Sequence, residues 1–407
     1  MPTTKKLGVL LVTNHLRLGC TTKTFLTYEK YLDRKIFDVH RFILEKEEWN
    51  IKKLLNLIER NTIRVVVTNS IYYETGKRYT DVIHFLKMCQ KNNIRVIDIT
   101  HFSKVDGAVD ALLDARLFVS SICRLVYVYR LSQSGHELEY QEKFHVLHNP
   151  LDTKKLDNFV IGKNQKGALR KKLGIPHNVF LIGRFGRSDH DKWDDMVVRI
   201  LPFLLRKNKN FFILLQAKPD VYNPQIFTRF SHNILSLPET NNEKEIAQHM
   251  QLCDALLQTS RIGESFGCAI AEGMYYGKPI VTSSTDFRAP TPFERDNGQL
   301  ELVEDQKNGF ICQNPKEAAE AIARLHDNEK IYNRIARANS EKARLLFDAR
   351  KLTQLLQDHI VGKRMVPTQN LSMEEYNKCV KPESQEYLMS LWIGHMVMKI
   401  QRKLGFV

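Results

Sequence analysis

Two glutamates eight residues apart enclose a small, apolar stretch in the second half of the chain. Glu264 and Glu272 flank the sequence Ser-Phe-Gly-Cys-Ala-Ile-Ala, with Gly263 and Gly267 at its start. Glycines let the backbone come close to a ligand, and the small residues 268–274 favour a short, tightly packed helix. The amide groups and the dipole at a helix start favour an anion such as phosphate. Since carboxylates are strong hydrogen-bond acceptors, the stretch predicts a site for sugar, ribose and phosphate groups.

This stretch and both of its flanks resemble a known enzyme family. Glu264 and Glu272 resemble the E-x7-E motif of retaining glycosyltransferase family 4, residues 253–260 resemble the strand before that motif, and residues 277–281 resemble the turn and strand after it. The resemblance implies the GT-B fold, an α/β architecture of two doubly wound Rossmann-like domains facing each other across a cleft. It also implies a nucleotide-sugar donor. The alternative is an N-capped core helix with no ligand.

The resemblance further implies roles for the residues of the motif. Glu264 would bind hydroxyls of the donor sugar and stabilise positive character at the anomeric carbon, and Glu272 would bind the ribose. Ser265, Phe266 and Gly267 would add backbone amides. In the family's mechanism the leaving phosphate takes the acceptor proton on the face where the bond breaks, so the protein supplies no nucleophile.

A basic loop follows the strand predicted at residues 179–182. Arg187 and Lys192 match the family's G-R-x4-K loop, which implies that they hold the donor diphosphate, and Arg184 is the alternative arginine. A leaving nucleoside diphosphate gains negative charge as the glycosidic bond breaks. Fixed cations therefore stabilise the transition state more than the ground state. The alternative is a solvated basic turn.

The same loop contains Asp189-His-Asp191, a pattern that binds a divalent metal in another class of glycosyltransferases. Hard cations prefer carboxylate oxygens, so the pattern is chemically suited to a metal. Here, however, the two acids lie between the cations expected to hold the diphosphate. We therefore expect solvent-exposed acids, no metal site and no cofactor, the nucleotide sugar being a substrate.

Two residues in the first half complete the candidate site. His101 ends a predicted strand and, by resemblance, is the family's strand-end histidine, which reaches the donor sugar. A neutral imidazole can donate a hydrogen bond to a sugar hydroxyl. Gly19 follows the first strand, where the family uses a glycine for close approach of donor phosphate or acceptor, although the usual Gly-Gly pair is absent. His15 is a further candidate for acceptor contact, and a structural role is the alternative for each.

The elements that must position these residues alternate between strand and helix. Strands are predicted at residues 7–12, 39–43, 65–68, 96–99, 117–119, 145–147, 179–182, 211–216, near 234, and at 255–258. Such alternation predicts doubly wound α/β sheets with ligands at the carboxyl ends of the strands. After Val281 the chain departs from the family, because residues 282–292 replace its usual Gly-Gly-x-x-Glu turn.

The length of 407 residues predicts two domains. We expect an acceptor-side domain at 1–161, a hinge in the polar stretch 162–167, and a nucleotide-sugar-binding domain at 168–365. Residues 366–407 would form a linker and an amphipathic C-terminal helix, packed on the N-terminal domain or lying at a membrane surface. One face of that helix carries large apolar residues, and cations lie near its end: Met389, Trp392, Ile393, Met396, Val397 and Ile400, then Lys399, Arg402 and Lys403.

The net charge of +15 indicates phosphorylated or anionic partners. The sequence has no zinc-finger spacing and no helix-turn-helix signal, which favours an anionic membrane surface over nucleic acid as the partner. No apolar run is long enough to span a bilayer, and the seven cysteines form no CxxC pair, which is typical of a cytoplasmic protein. Peripheral membrane binding is compatible with that location.

Taken with these features, the resemblance implies a metal-independent, retaining glycosyltransferase of the hexosyltransferase type. It would move a sugar from a nucleotide diphosphate sugar to an acceptor hydroxyl in glycan or glycolipid synthesis, with a lipid-linked or polysaccharide acceptor. The alternatives are a GT-B nucleotide-sugar epimerase and a non-catalytic nucleotide-sugar-binding adaptor.

Overall fold

The computed structural model describes residues 6–17, 19–72, 76–134, 141–187, 189, 191–207, 210–217, 224–363 and 371–403. The chain divides into two compact units. Unit 1 comprises Met1–Asp152 and Phe347–Met373, and unit 2 comprises Thr153–Leu346 and Glu374–Val407.

The strands, in chain order, are β1 (Leu7–Thr13), β2 (Phe37–Ile43), β3 (Ile63–Asn69), β4 (Arg95–Thr100), β5 (Ala115–Phe118), β6 (Phe144–Val146), β7 (Phe180–Arg184), β8 (Phe211–Gln216), β9 (Ile234–Leu237), β10 (Ala255–Gln258), β11 (Ile280–Thr282) and β12 (Gly309–Ile311). The predicted strands are confirmed with shifts of one or two residues at their ends.

The α-helices are α1 (Cys20–Tyr31), α2 (Ile51–Arg60), α3 (Lys77–Lys91), α4 (Gly107–Asp110), α5 (Ser121–Gln133), α6 (Thr153–Asp157), α7 (Lys163–Lys172), α8 (Met196–Arg199), α9 (Leu201–Lys207), α10 (Pro224–Arg229), α11 (Glu243–Leu252), α12 (Cys268–Tyr275), α13 (Gln299–Leu302), α14 (Pro315–Asp327), α15 (Glu329–Leu346), α16 (Ala349–Ile360), α17 (Met373–Cys379) and α18 (Gln385–Lys403). Short 3-10 helices lie at Gln141–Lys143 and Ser231–Asn233.

Each unit contains one parallel sheet of six strands within the described residues. Unit 1 has the order β2-β1-β3-β4-β5-β6, and unit 2 has the order β12-β11-β10-β7-β8-β9. The strands read as continuous apolar runs because helices cover both faces of such sheets. In unit 2, for example, Ile182, Ile213 and Leu257 are fully buried in one apolar cluster with Trp193. The predicted doubly wound α/β architecture is confirmed.

The strand order reverses direction at one point in each sheet. In unit 1 the reversal lies between β1 and β3, and in unit 2 it lies between β7 and β10. The loops that leave two such neighbouring strands run to opposite faces of the sheet, which opens a crevice at the carboxyl edge. The loops after these four strands are therefore the positions where ligands are expected.

Three boundaries differ from the sequence prediction. The predicted linker, residues 162–167, begins helix α7, since Gly162 precedes its first turn and donates its N–H to the Gln165 side chain (2.9 Å). The polar character that suggested a loop belongs to a solvated helix. Residues 347–363, expected in the second domain, pack with unit 1 through α16, where Leu352 and Leu356 are buried.

The C-terminal helix is the third difference, because α18 belongs to unit 2 and not to the N-terminal domain. The apolar residues singled out from the sequence, Met389, Trp392, Ile393, Met396 and Val397, are exposed, whereas Leu388, Leu391 and Met398 are the apolar residues of α18 that are buried. Among the described residues, no helix has the length and the apolar character needed to cross a membrane.

Candidate functional site

Two loops leave the carboxyl edge of the second sheet on either side of its reversal point. The basic loop, residues 185–192, follows β7, and the acid loop, residues 259–267, follows β10. Ala255 and Leu256 of β10 pair with Ile182 and Gly183 of β7 in parallel. Because parallel neighbours end at the same edge, the two loops start side by side.

An ion pair joins the two loops directly. The ammonium of Lys192 contacts carboxylate Oε2 of Glu264, and the two side chains are 18% and 28% exposed. The structure thus brings together one cation and one carboxylate that were singled out from the sequence. Both remain accessible from solvent at the edge where a ligand is expected.

The two arginines of the basic loop region have different environments. Arg187 is largely exposed and pairs with Asp189 at 2.6 Å. Arg184 is buried, donates to the Gly186 carbonyl (2.8 Å) and lies over the Trp193 ring. Burial lowers the pKa of Arg184 to about 10, against the opposing effect of Glu264. Arg187 is therefore the arginine whose guanidinium is accessible to a ligand.

The two carboxylates of the Asp189-His-Asp191 pattern have different environments. Asp191 is exposed as expected, whereas Asp189 is half-buried and also accepts a hydrogen bond from the Lys192 N–H (3.1 Å). Asp189 thus shapes the basic loop and orients Arg187. Within the described part of the chain, no three His, Cys, Asp or Glu side chains group closely enough to hold a metal ion.

The acid loop ends in helix α12. Gly267 has φ +103°, a left-handed conformation that L side chains rarely adopt. The preceding residue, Phe266, is held in place by its buried ring. The loop through Ser265 therefore enters α12 at a fixed angle, and the positive end of the helix dipole lies there. Glu272 lies half-buried on α12. The pKa of Tyr276 is raised mainly by the burial of its hydroxyl and further by the negative charge of Glu272.

The segment 296–299 holds the backbone of the acid loop. Glu264 donates its N–H to Gln299 Oε1 (2.9 Å) and accepts at its carbonyl from the Gly298 N–H (2.5 Å). A Cβ on Gly298 would lie 2.2 Å from the Ser265 carbonyl oxygen. Sequence reasoning did not select Gln299, although the turn-forming Asn297-Gly298 pair before it marks a tight turn.

His101 belongs to unit 1, at the carboxyl end of β4. It is 2% exposed, and burial lowers its pKa to about 3, so the ring is neutral at physiological pH. Its Nε2 lies 2.8 Å from Asn69 Oδ1, and Asn69 Nδ2 faces the Thr21 carbonyl (3.2 Å). Because that carbonyl only accepts, Asn69 Oδ1 must accept from Nε2–H of His101. The nitrogen expected to donate to a sugar is thus engaged, and Nδ1 is the acceptor.

Gly19 lies on the same edge of unit 1, immediately before α1. Its φ of 170° is extended backbone open to any residue, and a Cβ there would meet nothing within 4 Å. Asn69 links this edge together, since it contacts both His101 and Thr21 of α1. His15, after β1, is half-buried and accepts from the Arg17 N–H at 3.3 Å.

Comparison with known proteins relates unit 2 to a family of transferases. Residues 165–342 match the family model described as glycosyl transferases group 1. A stretch of 69 residues is 39% identical to starch synthase 2 of Arabidopsis thaliana, and covers 16% of this chain but 9% of that enzyme. The chain therefore spans less than a tenth of this relative.

Solved structures match the chain over most of its length. HepE of Anabaena, in complex with UDP, has a TM-score of 0.68 at 17% identity, covering 87% of this chain and 100% of that one. A glycosyltransferase from Rickettsia africae ESF-5 has a TM-score of 0.67 at 14% identity, covering 89% and 100%. The fold is therefore GT-B, and the match over residues 165–342 supports a glycosyltransferase built on it.

Proposed function

We propose that this chain is a retaining glycosyltransferase of family 4 that moves a sugar from a nucleotide diphosphate sugar to an acceptor hydroxyl. The observation that carries the proposal is the contact between Lys192 and Glu264 at the reversal point of the second sheet. This contact lies within residues 165–342, the segment that matches the glycosyltransferase family model.

The chemistry of the proposed site follows from its charges. Arg187 and Lys192 would stabilise the diphosphate as it leaves with growing negative charge, because they are fixed cations beside an accessible edge. Glu264 would accept hydrogen bonds from sugar hydroxyls and stabilise positive character at the anomeric carbon, and Glu272 would bind the ribose. His101, held neutral by burial, would contribute a polar contact and no charge.

The donor and its activation define the first experiment. Structures of the similar Anabaena HepE contain UDP or UDP-glucose, so UDP-glucose heads a panel of nucleotide sugars. We expect the parent protein to release nucleoside diphosphate from one donor of the panel, and Glu264→Gln to lower kcat by about 10²–10³-fold, the range measured for loss of one electrostatic stabiliser.

Glu294→Gln is the matched control, since Glu294 is an exposed glutamate of the same unit outside the two loops. A Glu264→Gln protein with parental turnover would contradict the proposal. Epimerisation of a donor incubated alone would indicate an epimerase instead, and diphosphate binding without turnover of any donor would indicate an adaptor.

We further propose that catalysis needs no divalent metal, because Arg187 and Lys192 supply the positive charge at the diphosphate. Turnover should survive excess EDTA with less than a twofold change. Loss of turnover in EDTA, restored by manganese or magnesium, would contradict this part of the proposal.

We also propose that the protein binds an anionic membrane surface through α18. This helix is apolar on two opposite sides: Leu388, Leu391 and Met398 are buried in unit 2, whereas Met389, Trp392, Ile393, Met396 and Val397 are 45–64% exposed. The exposed five form the outer face of α18. The indole of Trp392 donates to the Pro290 carbonyl (3.0 Å), which fixes the ring on that face.

Charge and area favour a bilayer over a second protein copy. Lys399 is exposed beside the outer face, and the chain carries a net charge of +15. Five half-exposed side chains offer on the order of 500 Å², less than the ~800 Å² per partner of a stable protein interface. A helix of this kind inserts its apolar side at the headgroup boundary while its cations contact anionic lipid.

Vesicle sedimentation tests this assignment. The parent should bind vesicles of phosphatidylcholine and phosphatidylserine at least fivefold better than phosphatidylcholine alone, and Ile393→Glu with Met396→Glu should abolish binding. Leu345→Glu, on α15, is the control at an exposed apolar residue elsewhere in unit 2. Unchanged vesicle binding, or a parental dimer in light scattering that the double variant converts to monomer, would contradict it.

A further inference from the structure

A line of buried hydrogen bonds runs from the acid loop to residues 376–383, the C-terminal segment. Gln299 accepts from the Glu264 N–H at Oε1 (2.9 Å) and donates from Nε2 to Asn297 Oδ1 (2.8 Å). Asn297 Nδ2 in turn donates to the Tyr376 hydroxyl (3.0 Å). Gln299 is 2% exposed, and the other two side chains are fully buried. Glu264 is thereby connected to a residue more than 100 positions away in the sequence.

Obligate donors fix the direction of both amides. The backbone N–H of Glu264 can only donate, so Gln299 must present its oxygen there and its nitrogen to Asn297 and to the Ser283 carbonyl (3.0 Å). Asn297 Oδ1 also accepts from the Thr285 N–H (3.1 Å), which leaves its nitrogen for Tyr376. Reversing Gln299 would place its oxygen against two acceptors, and reversing Asn297 would place its nitrogen against two donors, so one arrangement is strongly preferred in this buried site.

The C-terminal segment makes a second contact with residues 295–299. Glu383 receives two hydrogen bonds from Arg295, at 2.7 and 2.5 Å, and these side chains are 4% and 1% exposed. Arg295 also donates to the Arg261 carbonyl of the acid loop (2.9 Å). Residues 376–383 therefore hold residues 295–299 at two points, and residues 295–299 hold the acid loop.

We propose that Gln299, Asn297 and Tyr376 are positioning residues that set the carboxylate of Glu264 for reaction. The inference rests on the proposed function, since it assumes that Glu264 acts on the donor sugar. A carboxylate side chain moves with its own backbone, and both the N–H and the carbonyl of Glu264 are held by residues 298–299. The cations that would hold the diphosphate lie on the other loop and take part in none of these hydrogen bonds, although Lys192 pairs with the Glu264 carboxylate.

Gln299→Met tests the assignment, because methionine keeps the length of the side chain and removes both polar ends. With UDP-glucose we expect kcat to fall at least tenfold while the Kd for UDP changes less than twofold. Hydrogen exchange at the Glu264 amide should accelerate at least tenfold, a readout that needs no substrate. Tyr376→Phe should lower kcat about threefold, and the double variant should be no worse than Gln299→Met, since both act on one line of bonds.

Asn339→Leu is the matched control. Asn339 is fully buried in the same unit, accepts from Asn308 Nδ2 (2.9 Å) and donates to the Lys278 carbonyl (2.8 Å), outside this line. It should lower the Tm as much as Gln299→Met does and leave kcat within twofold. Parental kcat and parental amide exchange in Gln299→Met would overturn the inference alone, as would an equal loss of kcat in the control. A parent inactive with every donor of the panel would overturn the proposed function instead.

Discussion

Lys192 and Glu264 neutralise each other at an edge that is proposed to receive a diphosphate. Both side chains are partly exposed, and pairs of this kind contribute only about 0–1 kcal/mol to stability. In the proposed function, an incoming phosphate would therefore compete for the lysine at little cost. The pair keeps both side chains at the carboxyl edge of the second sheet. Asp189 holds Arg187 there in the same way, through an ion pair of 2.6 Å.

His101 makes a sharp prediction about pH. Burial lowers its folded-state pKa to about 3 from the ordinary 6.5, so the unfolded chain binds a proton between these values and the native protein does not. The contribution of His101 to stability is therefore full above pH 6.5 and is lost as the pH falls toward 3. Between pH 7 and pH 5 this amounts to about 2 kcal/mol.

Urea unfolding at the two pH values measures that contribution. His101→Gln should reduce the loss of unfolding free energy between pH 7 and pH 5 by about 2 kcal/mol. His232→Gln, at an exposed histidine, should leave the loss unchanged. Equal pH dependence in the parent and in His101→Gln would show that His101 titrates normally in the folded protein.

Substitutions at Gly19 and Gly263 distinguish a glycine needed for ligand approach from a glycine needed for the fold. Gly19 has extended backbone and open space, so Gly19→Ala should change the free energy of unfolding by less than about 0.5 kcal/mol. Gly263 has φ +66°, and its Cβ would lie 2.0 Å from the Asp296 carbonyl oxygen, so Gly263→Ala should cost about 2 kcal/mol or more.

Turnover completes the comparison of the glycines. Because Gly19→Ala leaves the fold intact, a fall of tenfold or more in its kcat/KM would report close approach of a ligand to the Gly19 backbone. Parental kcat/KM in this variant would remove Gly19 from the site. A Gly263→Ala protein as stable as the parent would contradict the packing of the acid loop against residue 296.

At the scale of elements, sequence patterns were sufficient where burial alone decides the structure. Val65, Val66 and Val67 form a strand because a sheet covered on both faces accepts a continuous apolar run. The same pattern could not assign α16, since Leu352 and Leu356 show that one face is apolar without showing which core receives it. Nor could spacing reveal the line from Gln299 to Tyr376, whose partners are distant in sequence and neutral.

The buried pair between Arg295 and Glu383 should hold the C-terminal segment in place. Glu383→Gln leaves the buried charge of Arg295 without its counter-ion, which typically costs about 3–5 kcal/mol. Glu374→Gln is the control, because its i,i+4 pair with Lys378 is exposed and should contribute less than about 0.5 kcal/mol. Similar free energies of unfolding for the two variants would show that the buried pair has little influence.

At the scale of the molecule, the two units have separate sheets and separate apolar cores. The proposed diphosphate-binding residues all lie in unit 2, whereas His101 and Gly19 lie in unit 1. The units therefore carry different parts of the proposed site. A ligand that lacks the sugar, such as UDP, should slow hydrogen exchange in unit 2 and not in unit 1.

Hydrogen exchange with UDP tests that division. A ligand at 100 times its Kd stabilises the state that binds it by about 2.7 kcal/mol. We expect slower exchange in the basic loop and at the start of α12, and no change in β2 of unit 1. Lys192→Met should abolish the protection, and protection confined to unit 1 would contradict the assignment of the diphosphate-binding residues.

The late return of the chain to unit 1 has a consequence for biosynthesis. Helix α16 packs there with Gln357 accepting from the Asp33 N–H (2.8 Å), yet it emerges from the ribosome after residues 153–346 of unit 2. At about 5–20 residues per second, the roughly 200 residues between Asp152 and α16 take on the order of 10–40 s to translate. During that interval the nascent first sheet presents an uncovered apolar surface, so chaperone binding to this half should precede completion of the polypeptide.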